Sequence, residues 1–252
     1  MTKVRDKQAR SYAENLLIRD YFDNKENGYF VEIGANDPTN HGSQSWHLET
    51  NLKWNGILVE PIPELAEKCR KTRPKANTYE CVCVDKNAPK SLALFIPYDK
   101  FSHDEIHCRS AIGKNIDGSN FTQHKEIKVQ ARTLDSILEK EKVENIDLLS
   151  IDVEGAELEV LRGTSLNKYK PNLILLEDKH LYLDKHHYLK KNGYRLVKRT
   201  RQNCWYVLKN AKRPPQTLFE KIRLFKRMYI SIWSKKLLFS IRNKTLKPLI
   251  QL

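Results

Sequence analysis

Acidic residues stand where the short apolar runs of this chain stop. The run at 29–33 contains Glu32 and breaks at Gly34, the run at 56–60 ends on Glu60, and the run at 79–84 is closed by Asp85. Further on, the run at 146–151 is followed by Asp152, and the run at 172–177 ends on Glu177 with Asp178 next to it. A carboxylate at a strand end offers two acceptor oxygens side by side. Glu60 lies 26 residues beyond Gly34, the place and rough spacing of the acid that grips vicinal ribose hydroxyls in nucleotide-binding sheets. Asp85 adds an acceptor suited to an adenine amino group. The phosphate side of such chemistry is missing. No GxxxxGK[ST] loop exists, and positions 34–39 read Gly-Ala-Asn-Asp-Pro-Thr rather than GxGxxG. Several acids without a phosphate cradle suit a cationic nucleoside that carries no phosphate, because carboxylates would repel a pyrophosphate. S-adenosylmethionine is such a molecule.

Those acids need a sheet to bring them to one edge, and the pattern supplies it. Residues 8–23 read as an amphipathic helix that stops at Asn24–Gly28. A buried strand at 29–33, a helix around 45–53, a strand at 56–60 and a helix opened by Pro63 and Glu64 follow. A third strand is expected at 79–84. Strands at 91–98 and 126–133 flank a long polar loop, whose length suits a lid over an acceptor. The helix TLDSILEKEK leads into a buried strand at 146–151, and the helix EGAELEVLRG closes on Gly163 as a C-terminal cap. A strand at 172–177, a helix at 182–192 and a hairpin from 194–200 and 204–208 complete the body. Strands separated by helices, with a hairpin at the end, predict an α/β fold. It is a doubly wound, mostly parallel sheet with an antiparallel edge hairpin, followed by a helical C-terminal tail. Two regions are expected: a Rossmann-like domain over 1–210 and a basic amphipathic tail over 211–252.

Composition narrows the class. The chain has 252 residues and a formal charge of +14. Residues 211–252 hold eleven Lys or Arg and one acid, so the tail carries +10 and the body only +4. No run of 18 apolar residues exists to span a membrane, and the opening MTKVRDKQARSYAENLL has no secretory-signal core. The expected location is the cytoplasm, with peripheral attachment to the cytoplasmic face of the membrane through the tail. Five cysteines without a CxxC pair read as reduced thiols, with Cys81 and Cys83 on one face of a strand.

Four blocks in order, VEIGAND, WNGILVEPIPE, TLDSIL and IDLLSIDVEGAELEVLRG, make residues 29–180 resemble the FkbM family of S-adenosylmethionine-dependent O-methyltransferases, and more loosely the likeness reaches 208. Pro38 departs from the pattern, standing where a glycine often follows the Asn-Asp pair. The resemblance implies a class I methyltransferase fold and methyl transfer to a hydroxyl, often on a sugar or a polyketide-type product. On that basis Glu32, Gly34, Asn36, Glu60 and Asp85 are the expected cofactor-binding residues. Glu32 and Gly34 would face the methionine end, Glu60 the ribose and Asp85 the adenine. Methyl transfer to oxygen depends chiefly on alignment and gains further from a base that takes the hydroxyl proton. Asp152, Glu177 and His180 are the candidates for that base. Asp152, Glu177 and Asp178 also resemble the carboxylate set of magnesium-dependent O-methyltransferases, so a divalent cation (Mg) stays open as a second cofactor. His103, His107 and His124 have no ligand spacing.

In the tail, Leu218, Ile222, Phe225, Tyr229, Ile232, Trp233, Leu237 and Ile241 recur at three- and four-residue steps among Lys and Arg. Packing on the body or on a second subunit as a homo-oligomer is one reading. The other is an amphipathic helix over 216–246 on an anionic membrane surface. Nucleic acid is the weakest partner, because the body is nearly neutral and has no Asn-Pro-Pro-Tyr-type tetrapeptide. The favoured function is methylation of a sugar hydroxyl in a glycan, lipopolysaccharide or related glycolipid. The alternatives are an RNA methyltransferase anchored by the tail and a non-catalytic membrane or partner adaptor.

Overall fold

A computed structural model describes residues 13–39, 43–98, 110–112, 123–178, 183–200 and 203–243. Helix α1 (13–21) leads to β1 (Tyr29–Ile33), α2 (Trp46–Leu52), β2 (Asn55–Val59), α3 (Pro63–Thr72), β3 (Ala76–Tyr79) and β4 (Val82–Cys83). Then come β5 (Ser91–Pro97), β6 (Ala111–Ile112), β7 (His124–Arg132), α4 (Leu134–Lys140), β8 (Leu148–Ile151), α5 (Glu157–Arg162) and α6 (Leu166–Tyr169). Strand β9 (Leu173–Glu177), α7 (Asp184–Lys191) and the hairpin β10 (Tyr194–Thr200) and β11 (Asn203–Leu208) close the body. The tail is α8 (Leu218–Phe225), a π-helical turn at Lys226–Ile230, and α9 (Ser231–Asn243).

Seven strands form the main sheet in the order β10-β11-β9-β8-β1-β2-β3. The neighbours from β9 to β3 run parallel, while β11 is antiparallel to both β9 and β10. The doubly wound sheet with an antiparallel edge hairpin is therefore present. Alternation along the strands divides the core. Val31, Ile33, Ile57, Val59, Leu149 and Ile151 pack against α4, α5 and α7 on one face. Phe30, Leu58, Leu148 and Leu175 pack against α1 and α2 on the other. Both faces are covered, which is why the central strands read as continuous apolar runs.

One expectation of the fold fails. The strand expected at 79–84 is two strands in different sheets. Strand β3 is the edge of the main sheet, while β4 joins a second sheet of order β4-β7-β5-β6. Val82 and Val84 pack with Ile62, Leu94, Ile96 and Val129 in a separate apolar cluster, so one apolar run serves two cores. Gly163 caps α5 as expected, its N–H donating back to the Glu159 and Leu161 carbonyls, with φ −79 rather than a left-handed conformation. A Cβ there would lie 2.0 Å from the Val84 carbonyl oxygen, so close approach to the second sheet requires the glycine. Most of the long polar loop, with His103 and His107, lies outside the described residues. His124 opens β7 and meets the Phe95 ring edge-on, 5.0 Å between ring centres.

Candidate functional site

The carboxyl ends of β1, β2 and β8 meet at one cavity. It is lined by Gly34 and Asn36 after β1, Glu60 after β2, and Asp152, Val153 and Glu154 after β8. Apolar side chains of Ile62, Val82, Leu94 and Ile112 and the thiols of Cys81 and Cys83 form another wall. Three carboxylates and no Lys or Arg stand among the described lining residues. Such a site favours a cationic ligand, and the apolar wall offers a surface for a flat ring.

Glu60 is 3% exposed, and local backbone fixes it there. One carboxylate oxygen accepts from the Asn36 N–H at 2.7 Å and the other from the Ile62 N–H at 3.0 Å. Asn36 adopts φ +45 to turn its amide that way, a conformation that asparagine tolerates better than most residues. The glycine before it has a different reason. Gly34 sits at φ +83, and a Cβ there would lie 1.9 Å from the Asp152 carbonyl oxygen. Its N–H and that of Ala35 both donate to the Val59 carbonyl, while the Asp152 N–H donates to the Ile33 carbonyl. Strand ends β1, β2 and β8 are thus laced together by main chain.

Asp152, Glu154 and Glu177 bring carboxylate oxygens within 4.8 Å of one another. Crowding by protein atoms pushes the Asp152 carboxyl well up. Glu177, which shares a hydrogen bond with it, and the nearby charges of Glu154 and Glu157 push the same way. A hydrogen bond between two carboxyl groups needs a proton between them. The pair is therefore equipped to hold and hand over a proton. Three converging carboxylates are also the ligand type a hard divalent cation takes.

Gly34, Asn36, Glu60 and Asp152 line one cavity, and Glu177 meets Asp152. Glu32 does not line it, because strand parity turns it to the opposite face. Its oxygens accept from the Gln44 N–H and Ser43 Oγ at 2.7 Å each, and from Ser45 Oγ at 2.5 Å. Asp85 does not line the cavity either. It lies past the short β4 and accepts from the Asn87 N–H in a turn. Asp178 faces Lys185 at 3.4 Å, and its expected place in the acidic group is taken by Glu154. His180 lies outside the described residues. Sequence reasoning missed Glu154. The signal was the Gly155 that follows it, since Glu154 at φ +53 and Gly155 at φ +110 form a left-handed turn. It also missed that Cys81 and Cys83 line the site. A hydrogen bond from Cys83 lowers the Cys81 thiol, while Cys83 is raised by that bond and by burial.

With this geometry in place, comparison with known proteins supplies the family. Residues 32–196 match the model of the methyltransferase FkbM domain, about two thirds of the chain. Among solved structures, the methyltransferase FkbM of Methylobacillus flagellatus KT is similar at 14% identity, with a TM-score of 0.42. That likeness covers 72% of this chain and 43% of that one, less than half its length. A precorrin-6y C5,15-methyltransferase of Geobacter metallireducens GS-15 is similar at 11% identity over 78% of this chain and 85% of that one, with a TM-score of 0.40. No curated protein matches. The chain belongs to the FkbM methyltransferase family, on the strength of the domain match.

Proposed function

We propose that this methyltransferase uses S-adenosylmethionine to methylate a hydroxyl group, on a sugar of a glycan, lipopolysaccharide or related glycolipid. The observation that carries the reading is Glu60, a carboxylate fixed by two backbone amides at the end of β2 inside an acidic cavity. The donor set suits the cofactor on two counts. Glu60 offers acceptors for ribose hydroxyls, and Asp152 and Glu154 tolerate the positive charges of a sulfonium and an ammonium group. The apolar wall around Ile62 and Leu94 suits the adenine ring.

When bound, the cofactor supplies an electrophilic methyl group on sulfur. The chain's own part is positioning and proton transfer. The rigid strand ends hold the ligands in line, and alignment of this kind supplies much of such a rate. The Asp152–Glu177 pair accepts the proton that the acceptor hydroxyl loses, a step worth roughly 10²–10⁴ in rate. A sugar hydroxyl is weakly acidic, which is why a base with a raised pKa is useful there.

Isothermal titration of the wild type and Glu60→Ala with S-adenosylmethionine tests the cofactor half. Binding to the wild type that weakens roughly tenfold or more in the variant is expected, the size of one lost charged hydrogen-bonding pair. A well-folded wild type that takes up no S-adenosylmethionine would remove the proposal. Methyl-transfer assays against glycans, glycolipids and RNA, with and without chelator, then separate the acceptor classes and the need for a metal.

A further inference from the structure

The tail helices are turned the unusual way round. A helix on a globular body ordinarily sets its apolar stripe against the core and its polar face to water. Here the buried positions of α9 include Lys236 and Ser240, while Trp233, Leu237, Leu238 and Ile241 face outward. In α8 no residue is buried, and Leu218, Phe219, Ile222 and Phe225 are 58–73% exposed. The outward residues form a row, Leu218, Ile222, Phe225, Tyr229, Trp233, Leu237 and Ile241, about 35 Å long at the rise of a helix. Steps of four overrun a 3.6-residue turn. The wider turn at Lys226–Ile230 takes back part of that overrun and keeps the row on one side. Exposed Lys221, Arg223 and Lys226 stand beside it.

The body meets this helix at several described points. Glu220 faces Lys198 at 3.5 Å, Met228 is buried, and the Tyr229 hydroxyl meets His186 Nε2 at 3.0 Å. Arg227 lies in the field of Arg199, whose Nη2 donates to the Asp178 carbonyl at 2.7 Å. Asp178 follows Glu177, so the tail meets the body at the strand end that carries the acidic group.

We propose that the outward row of residues 218–241 docks on an anionic lipid bilayer, lying in the interface with its apolar side chains inserted and its Lys and Arg against the headgroups. Charge complementarity selects this occupant. Eleven Lys or Arg and one acid over 211–252 would repel a second copy of the same surface and attract anionic lipid. The row joins a tryptophan and other apolar side chains to a basic flank, the composition of an interfacial helix. No described helix is long and apolar enough to cross a membrane, so the helix lies on the surface. Docking would bring the acidic strand end close to a lipid-borne acceptor.

Flotation of the full chain tests this without cofactor or acceptor, so its failure is separate from failure of the methyl-transfer reading. Vesicles of phosphatidylcholine with about one third phosphatidylglycerol should carry the protein upward at ~0.1 M salt, and pure phosphatidylcholine should carry roughly tenfold less. Trp233→Glu and the pair Lys221→Glu with Arg223→Glu should each cut the bound fraction roughly tenfold. Both alter exposed positions, and circular dichroism confirms that the fold is kept. Protein that stays down with anionic vesicles, or variants that float as well as the wild type, would overturn the proposal. So would a dimer by sedimentation that Trp233→Glu splits while no vesicle binds, which would give the face to a second copy.

Discussion

Glu32 and Glu60 stand at or just past the ends of adjacent parallel strands, both nearly buried, yet they belong to different worlds. Glu32 opens a closed network. Its partners Ser43 and Ser45 also accept from Arg73, which is fully buried, pairs with Glu49 at 2.5 Å, donates to the Pro38 carbonyl, and sits over the Phe30 and Trp46 rings. That network pins the chain between β1 and α2 to α3. Glu60 accepts from amides of its own neighbourhood and keeps a side on the cavity. One acid fastens the scaffold while the other furnishes the site, because Glu32 lies within β1 and turns to the α1–α2 face, whereas Glu60 lies just past the end of β2.

Breaking the closed region should cost the most. Arg73→Ala leaves the Glu49 carboxylate buried without its guanidinium, a loss of about 3–5 kcal/mol that denaturant unfolding would register as a much lower midpoint. The two acids should then part company in a paired experiment. Glu32→Gln should lower stability by about 1–3 kcal/mol and leave S-adenosylmethionine affinity within a factor of about two. Glu60→Gln should lower affinity roughly tenfold with a smaller stability change. If Glu32→Gln loses cofactor at native stability, the division between the regions is wrong.

Asp152 sharpens the comparison from the open side. Its carboxyl is raised in the folded state, so its contribution to stability is present at acid pH and is lost as pH rises past the ordinary carboxylate range. Asp152→Asn should therefore raise the melting temperature slightly at pH 7–8. Because the residue keeps solvent contact, the gain is about 0.5 kcal/mol, and it should fade toward pH 4 while activity falls. The opposite sign belongs to His47, on the helix beside the closed network. Burial lowers it to about 3 from its ordinary 6.5, so its contribution is present above pH 6.5 and is lost on acidification. Between pH 7 and pH 5 the wild type should lose roughly 1–2 kcal/mol more than His47→Leu in urea unfolding.

The sequence showed where strands end but not which way their last side chains point. The runs at 29–33, 56–60, 146–151 and 172–177 correspond to strands because parallel strands covered on both faces leave unbroken apolar signatures. The same lack of alternation hid the parity that sends Glu32 away. The run at 79–84 looked whole because valine and cysteine suit either core, although exposed Glu80 stands where the chain leaves one sheet for the other. Asp85 was misplaced as a consequence. Glu154 was legible only through its glycine neighbour. The amphipathic tail was plain in its spacing, but that its apolar row faces outward shows only in the burial of Met228, Lys236 and Ser240.

Gly34 joins the two halves of the site at atomic range, its Cα backed onto the Asp152 carbonyl with no room for a methyl group. The turn at Gly34–Asn36 and the loop at Asp152–Glu154 therefore cannot drift apart independently. They form a single bench, and a shift felt on one side is delivered to the other. A scaffold clamped in this way can change what it modifies only through segments outside the clamp, so the chemistry is inherited whole while its target is free to vary.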